Sequence, residues 1–269
     1  MNSTDDMCSV AGVELEVRRL GAGSPVLFLH PEFYFSLHEK FLVALARDRE
    51  LIVPVHPGFD GRAPAGHLRR PGDLALLYLD LLDDLEFDDV ALVGASFGGW
   101  IGLEMAVMAP ERFTTLGLIA PLGVKLGGRE SRDFADLFAL PHEDADACLF
   151  AGAPPDLSRF GEAALTRHAL ERQYLAYYGW KPYLHRLGLE QWLHRVRMPV
   201  LLVWGERDGF VTPAYGRGLR ERFPDAQLET VAGTAHYPQL ERTEATAELV
   251  GSWLAKRVRR RGMAGGKGR

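Results

Sequence analysis

Seven segments of the chain carry strand-like hydrophobic patterning. Residues 13–20 (VELEVRRL) alternate apolar and polar, as a half-buried strand does. Residues 26–29, 51–55, 90–93, 116–120 and 200–204 are short, nearly continuous apolar runs, and 228–231 (LETV) completes the set. Such runs suit strands buried on both faces of a largely parallel sheet. Between them lie helical patterns. Residues 37–47 place Leu37, Phe41, Leu42 and Leu45 on one face, and 73–85 do the same with Leu74, Leu77, Leu81 and Leu85. Residues 97–108 follow the run at 90–93 directly, and 212–223 and 241–258 close the chain. Strands alternating with helices predict an α/β fold: a mostly parallel sheet of about eight strands, helices on both faces.

The rhythm breaks between 122 and 196. No clear strand appears there, a helical pattern covers 160–178, and aromatic residues are frequent. We read this segment as a helical cap inserted in a core formed by 1–121 and 197–258. Residues 259–269 form a basic, Gly-rich end without a carboxylate, which predicts a disordered tail.

Composition narrows the class. At 269 residues, with 47% hydrophobic and 25% charged positions, one globular catalytic domain with an insertion is expected. A core of this size needs no disulfide or metal staple. The two cysteines, Cys8 and Cys148, lie in no metal-ligand spacing, and a reduced, cytoplasmic protein is the simpler reading. A net charge of −5 argues against a nucleic-acid surface. No run is long and apolar enough to span a membrane. A small-molecule substrate and a monomer or homodimer are expected.

The chemistry concentrates past three strand ends. Residues 90–93 lead into Gly94-Ala95-Ser96-Phe97-Gly98, a G-x-S-x-G between a predicted strand and a predicted helix. In that context the serine sits on a sharp, strained turn with its hydroxyl projecting over the sheet edge. A hydroxyl needs a base to become a nucleophile. Asp208 follows the strand at 200–204, and His236 follows the strand at 228–231, in the order serine, acid, histidine. Glu206 is the rival acid, one step nearer its strand. His56 and Asp60, in the loop after the strand at 51–55, are read as structural.

The segments LFLHPEF, VPVHPGFDGR, LVGASFGGW, LLVWGERDGFV and GTAHYPQLE resemble the α/β-hydrolase superfamily, in its serine-nucleophile branch with a cap. The resemblance covers nearly the whole chain outside 122–196. It implies Ser96 as nucleophile, Asp208 as acid and His236 as base, with no cofactor and no metal. It also implies an oxyanion hole of two backbone N–H groups, one from Phe97 and one from the loop after the strand at 26–29. There the chain departs from the family, with Pro31 where glycine is usual, and proline has no N–H. The second donor is then expected to be Glu32 N–H, or Phe33 N–H if the loop is shifted, with the Glu32 side chain facing solvent; the alternative is a substrate-contacting or acid–base role for that carboxylate. His30, Phe33, Trp100, Tyr178 and Trp180 are the expected pocket residues. The implied activity is hydrolysis of an ester-type bond in a small to medium apolar or aromatic substrate. The alternatives are carbon–carbon bond, thioester or lactone hydrolysis by the same residues, or ligand binding without turnover.

Overall fold

The computed structural model describes residues 3–264. Ten strands form: β1 (Ser3–Val10), β2 (Val13–Gly21), β3 (Ser24–Leu29), β4 (Arg49–Pro54), β5 (Val90–Ala95), β6 (Phe113–Ile119), β7 (Gly123–Val124), β8 (His185–Arg186), β9 (Val200–Gly205) and β10 (Ala226–Val231). Eight of them make one sheet in the order β1-β2-β4-β3-β5-β6-β9-β10, and β7 pairs with β8 beside it. Every neighbour in the large sheet is parallel except β1 with β2 and β2 with β4.

The apolar runs sit where their composition demands. Residues 26–29, 51–54, 92–95 and 200–205 are buried without interruption, because helices cover both faces there. The edge strand β10 instead alternates between half-buried and exposed positions. β1 escaped the hydrophobic reading because its residues 4–7 are all exposed. Backbone pairing with β2 forms it, through a tight turn in which Ala11 and Gly12 both take positive φ.

The helices are α1 (Glu39–Leu45), α2 (Pro71–Asp84), α3 (Phe97–Met108), α4 (His142–Leu149), α5 (Glu162–Gly179), α6 (Leu189–Trp192), α7 (Pro213–Arg220), α8 (Pro238–Glu241) and α9 (Thr243–Ala264). α1 packs with α9, and α2 with α3. The chain moves one way across the sheet from β3 to β4 and the other way from β4 to β5. Right-handed crossovers then put α1 and α2 on opposite faces. They also leave a crevice between the carboxyl ends of β3 and β5, where ligands collect in open sheets.

Between β6 and β9 lie α4, α5, α6 and the β7–β8 pair. α5 buries Glu171, Tyr174, Leu175 and Tyr178, a stripe at helical spacing that faces the core. The basic end expected to be a loose tail is carried by α9 as far as Ala264, and 265–269 lie outside the described residues.

Candidate active site

Ser96 stands at the turn from β5 into α3 with φ 47° and ψ −111°. Positive φ is costly for a non-glycine residue and persists only where the surroundings hold it. Here Ser96 N–H donates to Ile119 O, and Ser96 O accepts from Trp100 N–H and Leu122 N–H. The helix can start so close to the sheet because Gly98 has no side chain. A Cβ there would lie 2.2 Å from Leu29 O.

Asp208 and His236 arrive from β9 and β10. Gly205 lets the two loops touch: a Cβ on it would meet Ala235 O at 1.8 Å. Asp208 Oδ1 accepts from Phe210 N–H and Val211 N–H at 3.0 and 2.8 Å, which leaves Oδ2 for the imidazole. His236 Nδ1–H donates to that oxygen at 2.9 Å, and Nε2 accepts from the Ser96 hydroxyl at 2.7 Å. All three residues are buried. Burial alone would lower the basicity of His236, but Asp208 and then Glu32 raise it above its ordinary value. Burial pushes the Asp208 carboxyl up, against the opposing pull of His236 and the two N–H groups. Glu206, the rival acid, turns away and accepts from Gly233 N–H.

Glu32 departs from the expectation of a solvent-facing side chain. It is fully buried, and its carboxylate lies in the site. Oε2 accepts from Phe97 N–H at 3.0 Å, Oε1 accepts from the Tyr237 hydroxyl at 2.7 Å, and Oε1 lies 3.8 Å from His236 Nε2. The physical reason is the crevice itself. A short loop after β3 has no route to water beneath the cap, and the Phe97 N–H at the helix start favours an anion. Two donors further along the loop are engaged: Tyr34 N–H and Phe35 N–H both donate to Glu171 on α5.

His30 is a support for this loop. It stacks on His56 with ring centroids 3.7 Å apart and on Phe35 at 4.2 Å. His30 Nδ1–H donates to Pro31 O, so its Nε2 is free to accept from His56 N–H. His56 Nε2–H donates to His30 O, and its Nδ1 accepts from the Tyr78 hydroxyl. Both rings are thereby fixed as neutral tautomers. Burial holds His30 well below its usual range and His56 down at about 3. Asp60 pairs with Arg62.

The expected pocket residues divide. Tyr178 packs on Phe97 and donates its hydroxyl to Pro57 O. Trp100 also packs on Phe97 and donates Nε1–H to Glu104. Trp100 and Tyr178 line a cavity of about 510 Å³ at the junction of α2, α3 and the cap, together with Glu104, Lys181 and Arg186. Phe33 is buried against Tyr34 and His168. Trp180 is corrected: it is 54% exposed and packs on Phe138 and Tyr183 within the cap. Helical phase decides this, since Trp180 follows two residues after Tyr178 and cannot share its face.

Three residues that sequence reasoning missed hold the site together. Tyr237 binds Glu32, and its only signal was adjacency to His236. Glu171 ties the β3 loop to the cap, with no signal in the sequence. Glu241 closes the GTAHYPQLE segment: Oε2 accepts from Ala235 N–H, and Oε1 from Ala151 and Gly152 N–H of the cap. Among the described residues, no group of three or more His, Cys, Asp or Glu side chains is arranged to hold a metal, and no helix is long and apolar enough to cross a membrane.

This fold and this strained serine turn define a class. The model of the alpha/beta hydrolase family matches residues 22–249, and the chain belongs to that family. It is 31% identical to the polyketide synthase ThaQ of Burkholderia thailandensis over 262 residues, which cover 92% of this chain and 12% of ThaQ. It is 26% identical to 2-hydroxymuconate semialdehyde hydrolase of a Pseudomonas species, covering 91% of this chain and 92% of that one. Among solved structures, a bacterial membrane phospholipase A superposes with TM-score 0.79 at 21% identity, covering 95% of this chain and 86% of the other. A serine hydrolase involved in carbazole degradation superposes with TM-score 0.75 at 20% identity, over 94% and 99%.

Proposed function

We propose that this protein is a serine hydrolase that cleaves an ester-type bond in a small to medium apolar or aromatic substrate. The observation that carries the reading is the unbroken line from the Ser96 hydroxyl through His236 to Asp208, at 2.7 and 2.9 Å. In the proposed mechanism Ser96 attacks the carbonyl carbon while His236 takes its proton, with Asp208 orienting the ring and stabilising the imidazolium. His236 then protonates the leaving group and activates the water that releases the acid. Phe97 N–H supports the oxyanion. Aromatic side chains from core and cap, among them Phe97, Tyr178, Phe150 and Tyr34, surround the site and favour an apolar acyl group. No cofactor enters this scheme. We place the protein in the cytoplasm, acting on a free small molecule as a monomer or homodimer.

Carbon–carbon bond hydrolysis is the second reading. Two relatives that match end to end favour it: the 2-hydroxymuconate semialdehyde hydrolase, and a 2-hydroxy-6-oxo-2,4-heptadienoate hydrolase of Pseudomonas putida at 25% identity over 93% of this chain.

The test is a hydrolysis screen over p-nitrophenyl esters of rising chain length, lactones, thioesters and a dienoate carbon–carbon substrate. Ser96→Ala is expected to lower turnover at least about 10³-fold while the protein still folds. Wild-type turnover in that variant refutes the assignment.

A further inference from the structure

The N–H that a serine hydrolase offers to the oxyanion is engaged here by the enzyme's own carboxylate. Glu32 Oε2 accepts from Phe97 N–H, and Tyr237 holds the other oxygen in place. A substrate carbonyl that reaches Ser96 needs the same N–H. As that carbonyl becomes an alkoxide, two anions would meet at one donor in a site closed to water. Like charges at such distance cannot both persist, and one must be neutralised. Three positions of the loop are lost as the second donor. Pro31 has no N–H, and the N–H groups of Tyr34 and Phe35 are held by Glu171.

We propose that Glu32 is a catalytic residue: its carboxyl group, in the neutral form, donates its O–H to the developing oxyanion and completes the pair of donors with Phe97 N–H. The inference rests on the serine-hydrolase reading above. The bookkeeping of the step is simple. Ser96 Oγ bonds to the carbonyl carbon, and the serine proton moves to His236 and then to the leaving group. The Glu32 proton, taken from water before the step, stays hydrogen-bonded between carboxyl and oxyanion and returns to Glu32 when the carbonyl re-forms. Tyr237 keeps hold of Oε1 and so positions the carboxyl. The titratable groups that face Glu32 are His236 with Asp208 behind it, Tyr237 with His38 behind its ring, and Tyr34, Glu171 and His168 on the cap side.

The active form then carries a neutral carboxyl beside a neutral imidazole. It holds the same number of protons as a carboxylate beside an imidazolium, so the pair gives one bell-shaped profile. Activity rises as the pair gives up the first of its two protons and falls as it gives up the second. The test compares kcat/KM for p-nitrophenyl butyrate across pH in wild type, Glu32→Gln and Glu32→Ala, with product followed by chromatography and folding by thermal melting. Glu32→Gln keeps an N–H donor. It is expected to stay within about tenfold of wild type at the optimum and to lose the alkaline limb. Glu32→Ala is expected to fall about 10²-fold or more, as removal of an oxyanion donor does elsewhere. A Glu32→Ala variant as fast as wild type or faster, or an alkaline limb that survives in Glu32→Gln, overturns the proposal. Turnover that survives Ser96→Ala overturns the hydrolase reading and this inference together. Ser96-dependent turnover indifferent to Glu32 overturns this inference alone.

Discussion

Glu241 is the residue on which the link between cap and histidine loop turns, and its removal has a calculable consequence. One carboxylate accepts three backbone N–H groups: Ala235, next to His236, on Oε2, and Ala151 and Gly152 of the cap on Oε1. Ala235 is fully buried, Ala151 is half-buried and Gly152 is exposed. In Glu241→Ala the last two recruit water at small cost. Ala235 N–H does not, and a hydrogen bond to a charged group is worth about 1.5–3 kcal/mol. Adding about 0.5–1 kcal/mol for the two wetter groups gives a loss of roughly 2–4 kcal/mol. For a chain of this length that corresponds to a fall in Tm of about 4–7 °C. Glu241→Gln is expected to lose nearly as much. Its single carbonyl serves one side of the bridge, and its amide hydrogens confront N–H donors on the other. Thermal melting of wild type and both variants measures this. A Tm for Glu241→Gln within about 1 °C of wild type would refute the bridging argument. A fall in Tm with unchanged kcat/KM would show instead that the bridge holds the cap without orienting His236.

Two further outcomes follow from the packing. His38 and His56 are buried with basicity lowered by burial to about 4 and about 3, while the unfolded chain takes up protons near 6.5. Their stabilisation is therefore present above pH 6.5 and lost as pH falls, at about 1.4 kcal/mol per pH unit for each ring. His236 acts oppositely, its contribution being lost as pH rises, so melting between pH 7 and 5 should show net acid destabilisation, with a shallower slope in His38→Gln. Gly98→Ala puts a methyl group 2.2 Å from a carbonyl oxygen of the sheet. It is expected to cost about 3 kcal/mol or more, read as lost soluble yield or a lowered urea midpoint, and a midpoint equal to wild type would contradict the close approach of α3 to β3.

The legible part of this protein is whatever local periodicity encodes. Apolar runs in β3, β5 and β9 announce strands because helices bury both faces of them. Gly94-Ala95-Ser96-Phe97-Gly98 announces a turn because few sequences permit so sharp a passage from strand to helix. Asp208 and His236 were readable as residues just past strand ends. Their distances to each other and to Ser96 were not, since hydrogen-bond geometry depends on how loops far apart in sequence settle together. β1 was invisible because backbone pairing forms it and the side chains of its residues 4–7 face water.

The sequence by itself determined the α/β order of elements, the strained serine and the order of polar residues along the strand ends. Tertiary structure alone decided where the Glu32 carboxylate goes. Read along the chain, it is one charged residue in a loop and belongs at the surface. In the folded protein it is enclosed between Phe97 N–H, the Tyr237 hydroxyl and His236, residues 65 to 205 positions away. Burial and long-range donors, which no local pattern encodes, overrule the preference of an isolated carboxylate for water.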